Sequence, residues 1–122
     1  SGAASPDLLK PWLSFDDVNK GGPKGKLPQA VVAYMARFKV FQEPTAIQAH
    51  CWPAACAGCH VVGISKTGSG KTLAYVCPAL SRILSYKTSR MPSFGPYAVV
   101  LAPTRELALQ ISTEAKGLCK AL

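Results

Sequence analysis

The stretch Ser65-Lys66-Thr67-Gly68-Ser69-Gly70-Lys71-Thr72 restricts the folds open to this chain more than any other. Its small residues, lysine and hydroxyl fall in the order needed to wrap a polyphosphate. Consecutive backbone N–H groups can turn toward one anion only where side chains are small, and the anion is held best where the loop feeds a helix N-terminus with its partial positive charge. Gly68, Ser69 and Gly70 meet the first need. Lys71 can reach the β- and γ-phosphates as a point charge, and the Thr72 hydroxyl suits a Mg²⁺ that bridges them. Val61-Val62-Gly63-Ile64 reads as a short buried strand before the loop, and Leu73, Val76, Cys77, Leu80, Ile83 and Leu84 form a helical apolar stripe after it. One residue departs from the usual pattern, which opens with Gly or Ala where this chain has Ser65; serine is small enough to keep the turn. A Gly/Ser-rich surface turn before a lysine is the bland alternative, and it leaves the flanking strand and helix unexplained.

The 122 residues suffice for one small domain with one modest core. Hydrophobic residues at 48% and charged ones at 16% give a globular balance. No apolar run approaches the roughly 20 residues that cross a bilayer, and the N-terminus lacks the basic-then-apolar order of a signal peptide. The expectation is a soluble intracellular protein of the cytoplasm or nucleus, with no membrane partner. A net charge of +8, from 14 Lys+Arg against 6 Asp+Glu, points to a polyanionic partner. Solvated loops account for part of it equally well, since Lys20, Lys24 and Lys26 lie in a Gly/Pro-rich stretch and Lys87 and Arg90 in another. Five cysteines, an odd number, argue for reduced thiols over a disulfide framework. Cys56-Ala57-Gly58-Cys59-His60 matches the C-x-x-C-H haem-attachment pattern, and Cys51 tempts a zinc reading. Haem there would crowd the strand that feeds the loop, and zinc would need a fourth ligand from His50 or His60, so small buried thiols and a turn explain the stretch more simply.

Residues 1–26 read as a lead-in: Ser5 to Trp12, then Phe15-Asp16-Asp17 and a basic Gly/Pro-rich loop. From 27 to 122 the pattern is helix, helix, strand, helix, strand, helix. Leu27, Val31, Tyr34, Met35 and Phe38 recur at helical spacing behind Pro28. Thr45-Ala46-Ile47-Gln48 has the capping-box form and starts a second helix that stops near Gly58. Pro78 should kink the helix after the loop. Tyr97-Ala98-Val99-Val100-Leu101 is a continuous apolar run, the mark of a strand buried on both faces. A last helix begins near Arg105, with Leu107, Ile111, Ala115 and Leu118 on one face. The expected fold is α/β, with parallel strands covered by helices on both faces. Two strands against the usual five or so make the chain look like the first part of a larger domain.

Three separated stretches together resemble the N-terminal core domain of DEAD-box ATP-dependent RNA helicases, an incomplete RecA-like P-loop NTPase domain. Phe41-Gln42-Glu43-Pro44-Thr45-Ala46-Ile47-Gln48 is similar to the family's adenine-recognition Q motif, residues 65–72 to its motif I, and Pro103-Thr104-Arg105-Glu106-Leu107-Ala108 to its motif Ia. The resemblance runs from about Phe15 to the end of the chain. It implies ATP and Mg²⁺ as cofactors and RNA as partner. Gln48 would read the adenine edge with the donor and acceptor of one amide, although the same amide also closes a capping box on Thr45. Phe41 would pack on the base or belong to the core. Lys71 and Thr72 would serve hydrolysis. Pro103, Thr104 and Arg105 would hold RNA phosphates without reading sequence, while Thr104 also suits an N-cap and Arg105 a solvated charge.

Three departures accompany the resemblance. Val40 stands where a glycine usually precedes the aromatic of the Q motif. Phe15 lies further upstream than the family's isolated phenylalanine, because of the basic insertion. The D-E-A-D, S-A-T and second-domain arginine motifs are not found before Leu122, so the 122 residues by themselves are expected to bind nucleotide at most, and neither to hydrolyse it nor to unwind RNA. In the family's topology, strands from later in the chain lie between the two expected here. Two open edges follow, and with them self-association by strand addition or swapping. Another P-loop enzyme, such as a small-molecule kinase or a GTPase, would explain residues 65–72 alone. A non-enzymatic basic nucleic-acid-binding module would explain only the charge.

Overall fold

A computed structural model describes residues 9–22, 25–37, 42–86 and 94–122. They form five helices: α1 (Phe15–Lys20), α2 (Gln29–Arg37), α3 (Ala46–Cys56), α4 (Lys71–Ser85) and α5 (Arg105–Ala121). Three were expected from apolar spacing and α3 from its capping box. The short α1 was not, because six residues show too little periodicity. Its signal is instead a capping box: Asp17 N–H donates to Ser14 Oγ and Ser14 N–H to Asp17 Oδ2, each at 3.1 Å. These backbone donors, Ser14 first, hold the Asp17 carboxyl below its ordinary pKa.

Helix α2 starts as Pro28 predicts, its carbonyl accepting from Val31 and Val32 N–H at 3.0 and 3.2 Å. Val31, Val32 and Met35 turn inward; Phe38 lies outside the described residues. Helix α3 contains Pro53, which has no N–H for the Ala49 carbonyl. That carbonyl accepts instead from Trp12 N–H at 2.9 Å, which pins the lead-in to α3. Helix α4 runs on past Pro78 to Ser85, so the proline removes one hydrogen bond without ending the element.

One core joins all five helices. Trp12 and Val18 from the N-terminal stretch, Val31 and Met35 from α2, Trp52 from α3, Val76 and Cys77 from α4, and Leu118 from α5 are buried together. Helix α3 packs on α4 more extensively than any other pair. Burial pushes the Cys77 and Cys56 thiols up to about 12, so both stay protonated. On α5, Ile111 and Leu118 are buried but Leu107 is 37% exposed, because the helix N-terminus flanks an open cleft.

The expected parallel strands are not formed. Among the described residues the only β-type pairing is an isolated bridge between Gly22 and Gly25. Residues 61–64 and 98–101 pair with nothing, and Val62, Ile64 and Leu101 are 90 to 91% exposed. An apolar run becomes a strand only when a neighbour takes its backbone groups and covers its faces. Neither run is paired in this way, so the α/β reading holds here for the order of apolar runs and helices and not for a sheet.

Candidate nucleotide-binding site

The loop of residues 65–70 joins an extended segment to the N-terminus of α4, as the spacing of small residues requires. Gly68 and Gly70 have φ of +76° and +84°, the left-handed region that side chains disfavour, and Gly70 is the N-cap of α4. Among the described residues, the backbone hydrogen bonds of loops and caps use no N–H from 66 to 70 as donor. Those donors are the ones an anion would collect at a helix N-terminus. Lys71 Nζ donates to the Ser65 carbonyl at 2.6 Å, and the Ser65 and Ser69 hydroxyls are 2.6 Å apart. Thr72 sits in the first turn of α4, and Thr67, Gly68, Gly70, Lys71 and Thr72 line one cleft of about 690 Å³ against α2 and α5.

The second sequence-predicted motif meets this loop directly. Thr45 N–H donates to Gln48 Oε1 at 3.1 Å, closing one half of the capping box of α3. Gln48 Nε2 donates to the Gly70 carbonyl at 3.2 Å. The other half of the box is loose, and Thr45 Oγ1 is left buried without a hydrogen-bond partner. A Cβ on Gly70 would stand 2.5 Å from Gln48 Nε2 and 3.1 Å from Thr45 Oγ1, so only glycine allows the approach. Phe41 lies outside the described residues.

Trp52, which no sequence motif singles out, follows Gln48 by four positions and shares its helix face. It is fully buried, and its indole N–H donates to the Leu73 carbonyl at 3.1 Å in the first turn of α4. Gln48 and Trp52 therefore grip the loop exit from one side. An i, i+4 pair of polar-tipped side chains on one face of a largely apolar helix is the available signal.

The third motif opens α5 on the far side of the cleft that the phosphate loop lines. Thr104 is the N-cap of α5, its hydroxyl accepting from Leu107 N–H at 3.2 Å. That bond leaves the hydroxyl proton free to donate. Pro103 and Arg105 are exposed beside it. Leu107 on the next turn lines the same cleft as Gly68 and Thr72, so the start of α5 faces the phosphate loop. The cysteines of the C-x-x-C-H stretch lie at the far end of α3, and among the described residues no group of three His, Cys, Asp or Glu side chains is placed to hold a metal.

A Gly/Ser-rich loop opening a helix, braced by a glutamine from a preceding helix, has the form of a P-loop site. The comparisons narrow the class. The family model for the DEAD/DEAH box helicase matches residues 45–122, and the chain belongs to that family. It is 44% identical over 94 residues to the pre-mRNA-processing ATP-dependent RNA helicase PRP5 of Vanderwaltozyma polyspora, covering 77% of this chain and 11% of that protein. It is 52% identical over 108 residues to ATP-dependent RNA helicase DBP2 of Ajellomyces capsulatus, covering 88% and 18%. Among solved structures, the RNA helicase Prp28 of Chaetomium thermophilum bound to ADP matches with TM-score 0.69 and 35% identity, over 84% of this chain and 24% of that one. The chain thus spans less than a fifth of the curated relatives' length. No described helix is long and apolar enough to cross a membrane.

Proposed function

We propose that this chain is the ATP-binding part of an ATP-dependent RNA helicase, the N-terminal portion of a RecA-like domain. The observation that carries this reading is the joint between the two nucleotide motifs, in which Gln48 holds Gly70 while the amides of 66–70 are left for an anion. Residues 65–72 would cradle the phosphates, and Lys71 would leave the Ser65 carbonyl to meet their charge. The Thr72 hydroxyl would ligate Mg²⁺, which neutralises charge on the phosphate oxygens when bound. The glycine-only space at Gly70 keeps Gln48 and Thr45 close against the loop, which supports a loop held in one shape.

Gln48 spends one of its two N–H groups and one Oε1 lone pair within the protein. Its remaining donor and acceptor match the adenine edge. Because Gln48 is 1% exposed, that contact requires the Gly70 joint to shift. Pro103, the free Thr104 hydroxyl proton and the exposed Arg105 would hold RNA phosphates at the start of α5, giving sequence-tolerant, salt-sensitive binding.

The test is RNA-stimulated ATP hydrolysis by the complete protein and its Lys71→Ala variant, with ATP and GTP compared. ATP turnover that Lys71→Ala abolishes, and that GTP does not support, is the expected result. Turnover retained by Lys71→Ala, or equal use of GTP, would overturn the roles given to Lys71 and Gln48.

A further inference from the structure

We propose that Ser65, the residue at which this loop departs from the usual Gly or Ala, is a positioning residue that ties the two ends of the phosphate loop together through the Ser69 hydroxyl. The inference rests on the nucleotide-binding reading above. Two ties hold the Ser65 end of the loop. One is its carbonyl, which accepts from Lys71 Nζ at 2.6 Å, and the other is its hydroxyl, 2.6 Å from Ser69 Oγ.

The two ties have different fates. A polyphosphate draws on the same Lys71 ammonium, whose three N–H donors the Ser65 carbonyl would then have to share, so the first tie weakens when a polyphosphate binds. The hydroxyl pair needs no part of Lys71 and survives. It joins positions four apart, on either side of Gly68, whose left-handed backbone has no other atoms within 4 Å of its Cβ position to brace it. With alanine or glycine at 65, the Lys71 contact would be the one tie seen in this structure between the loop ends, and a polyphosphate competes for it. The loop would then have to be ordered by the ligand, at a cost in affinity. Serine at 65 keeps the amides of 66–70 in place through the exchange.

The experiment is ADP titration of the complete protein by calorimetry, with Ser65→Ala, Ser69→Ala, the double variant and Ser65→Thr. Each single alanine variant should bind ADP about fivefold more weakly, the weight of one neutral hydrogen bond. The double variant should lose no more than either single one, because both remove the same bond. Ser65→Thr, which keeps the hydroxyl, should restore affinity. Wild-type affinity in Ser65→Ala, or losses that multiply in the double variant, would overturn the tie while leaving the nucleotide site standing. Absence of ADP binding by the wild type would overturn both.

Discussion

Gln48 Nε2 donates to the Gly70 carbonyl at 3.2 Å, joining the N-terminal turn of α3 to the residue that caps α4 across 22 positions of sequence. The bond makes the shape of the phosphate loop depend on a helix that precedes it. Gln48→Glu keeps an acceptor for Thr45 N–H but sets a carboxylate oxygen against the Gly70 carbonyl. Loss of about 1–3 kcal/mol of stability is expected, together with weaker nucleotide binding. Gly70→Ala should do the same from the other side, since its Cβ would stand 2.5 Å from Gln48 Nε2. Urea unfolding and ADP titration of both variants check this. Unchanged values in both would remove the joint from the account of the loop.

Much of this site is legible in sequence, and the limits are physical. The Q, phosphate-loop and Ia stretches can be found because each has local chemistry: small residues, a capping box, an N-cap. That Gln48 is spent on Gly70 cannot be read from either motif, since the bond crosses two helices. The capping-box signal was present at Ser14 and Asp17, yet apolar periodicity alone passes over a helix as short as α1. The sheet is the part of the expected fold that the described residues do not form. Apolar runs at 61–64 and 97–101 look like buried strands, but pairing is non-local, and an apolar composition cannot supply a neighbour.

The unpaired runs lead to a second prediction. Val62, Ile64 and Leu101 are 90 to 91% exposed, which leaves apolar side chains and free backbone groups along two extended edges. The 122-residue chain should therefore associate with a second copy by strand addition. Sedimentation velocity over a hundredfold range of concentration checks it, with a rising average mass expected. A constant monomer mass would contradict it.

A third prediction concerns Gly117 on α5, where a Cβ would lie 2.5 Å from Tyr34 Oη and 3.5 Å from its Cζ. Alanine in a helix interior normally stabilises by about 1 kcal/mol relative to glycine. Here Gly117→Ala should destabilise instead, because Tyr34 of α2 must move to admit the methyl group. A lower melting temperature is expected, and a higher one would show that α2 and α5 pack less closely than the geometry requires.

A fourth follows from the thiols. Burial raises Cys77 from an ordinary 9.0 to about 12, and Cys56 likewise. In the unfolded chain both lose their protons as pH passes 9, whereas in the folded chain they keep them to about 12. Their stabilising contribution is therefore complete below pH 9 and declines as pH rises from there toward 12. The melting temperature should fall over that window, and Cys77→Ala should flatten the fall while lowering stability at neutral pH. An identical pH profile in the variant would exclude the thiol as its source.

The most direct measurement is an NMR titration of the ¹⁵N-labelled protein with ADP and Mg²⁺, following the backbone amides of residues 66–72. The expected result is a saturable shift of those amides together, reduced in Lys71→Ala, with smaller changes at Gln48. Amides of 66–72 that stay fixed while ADP binds, or shifts confined to other parts of the chain, would contradict the central claim that this loop is the phosphate cradle.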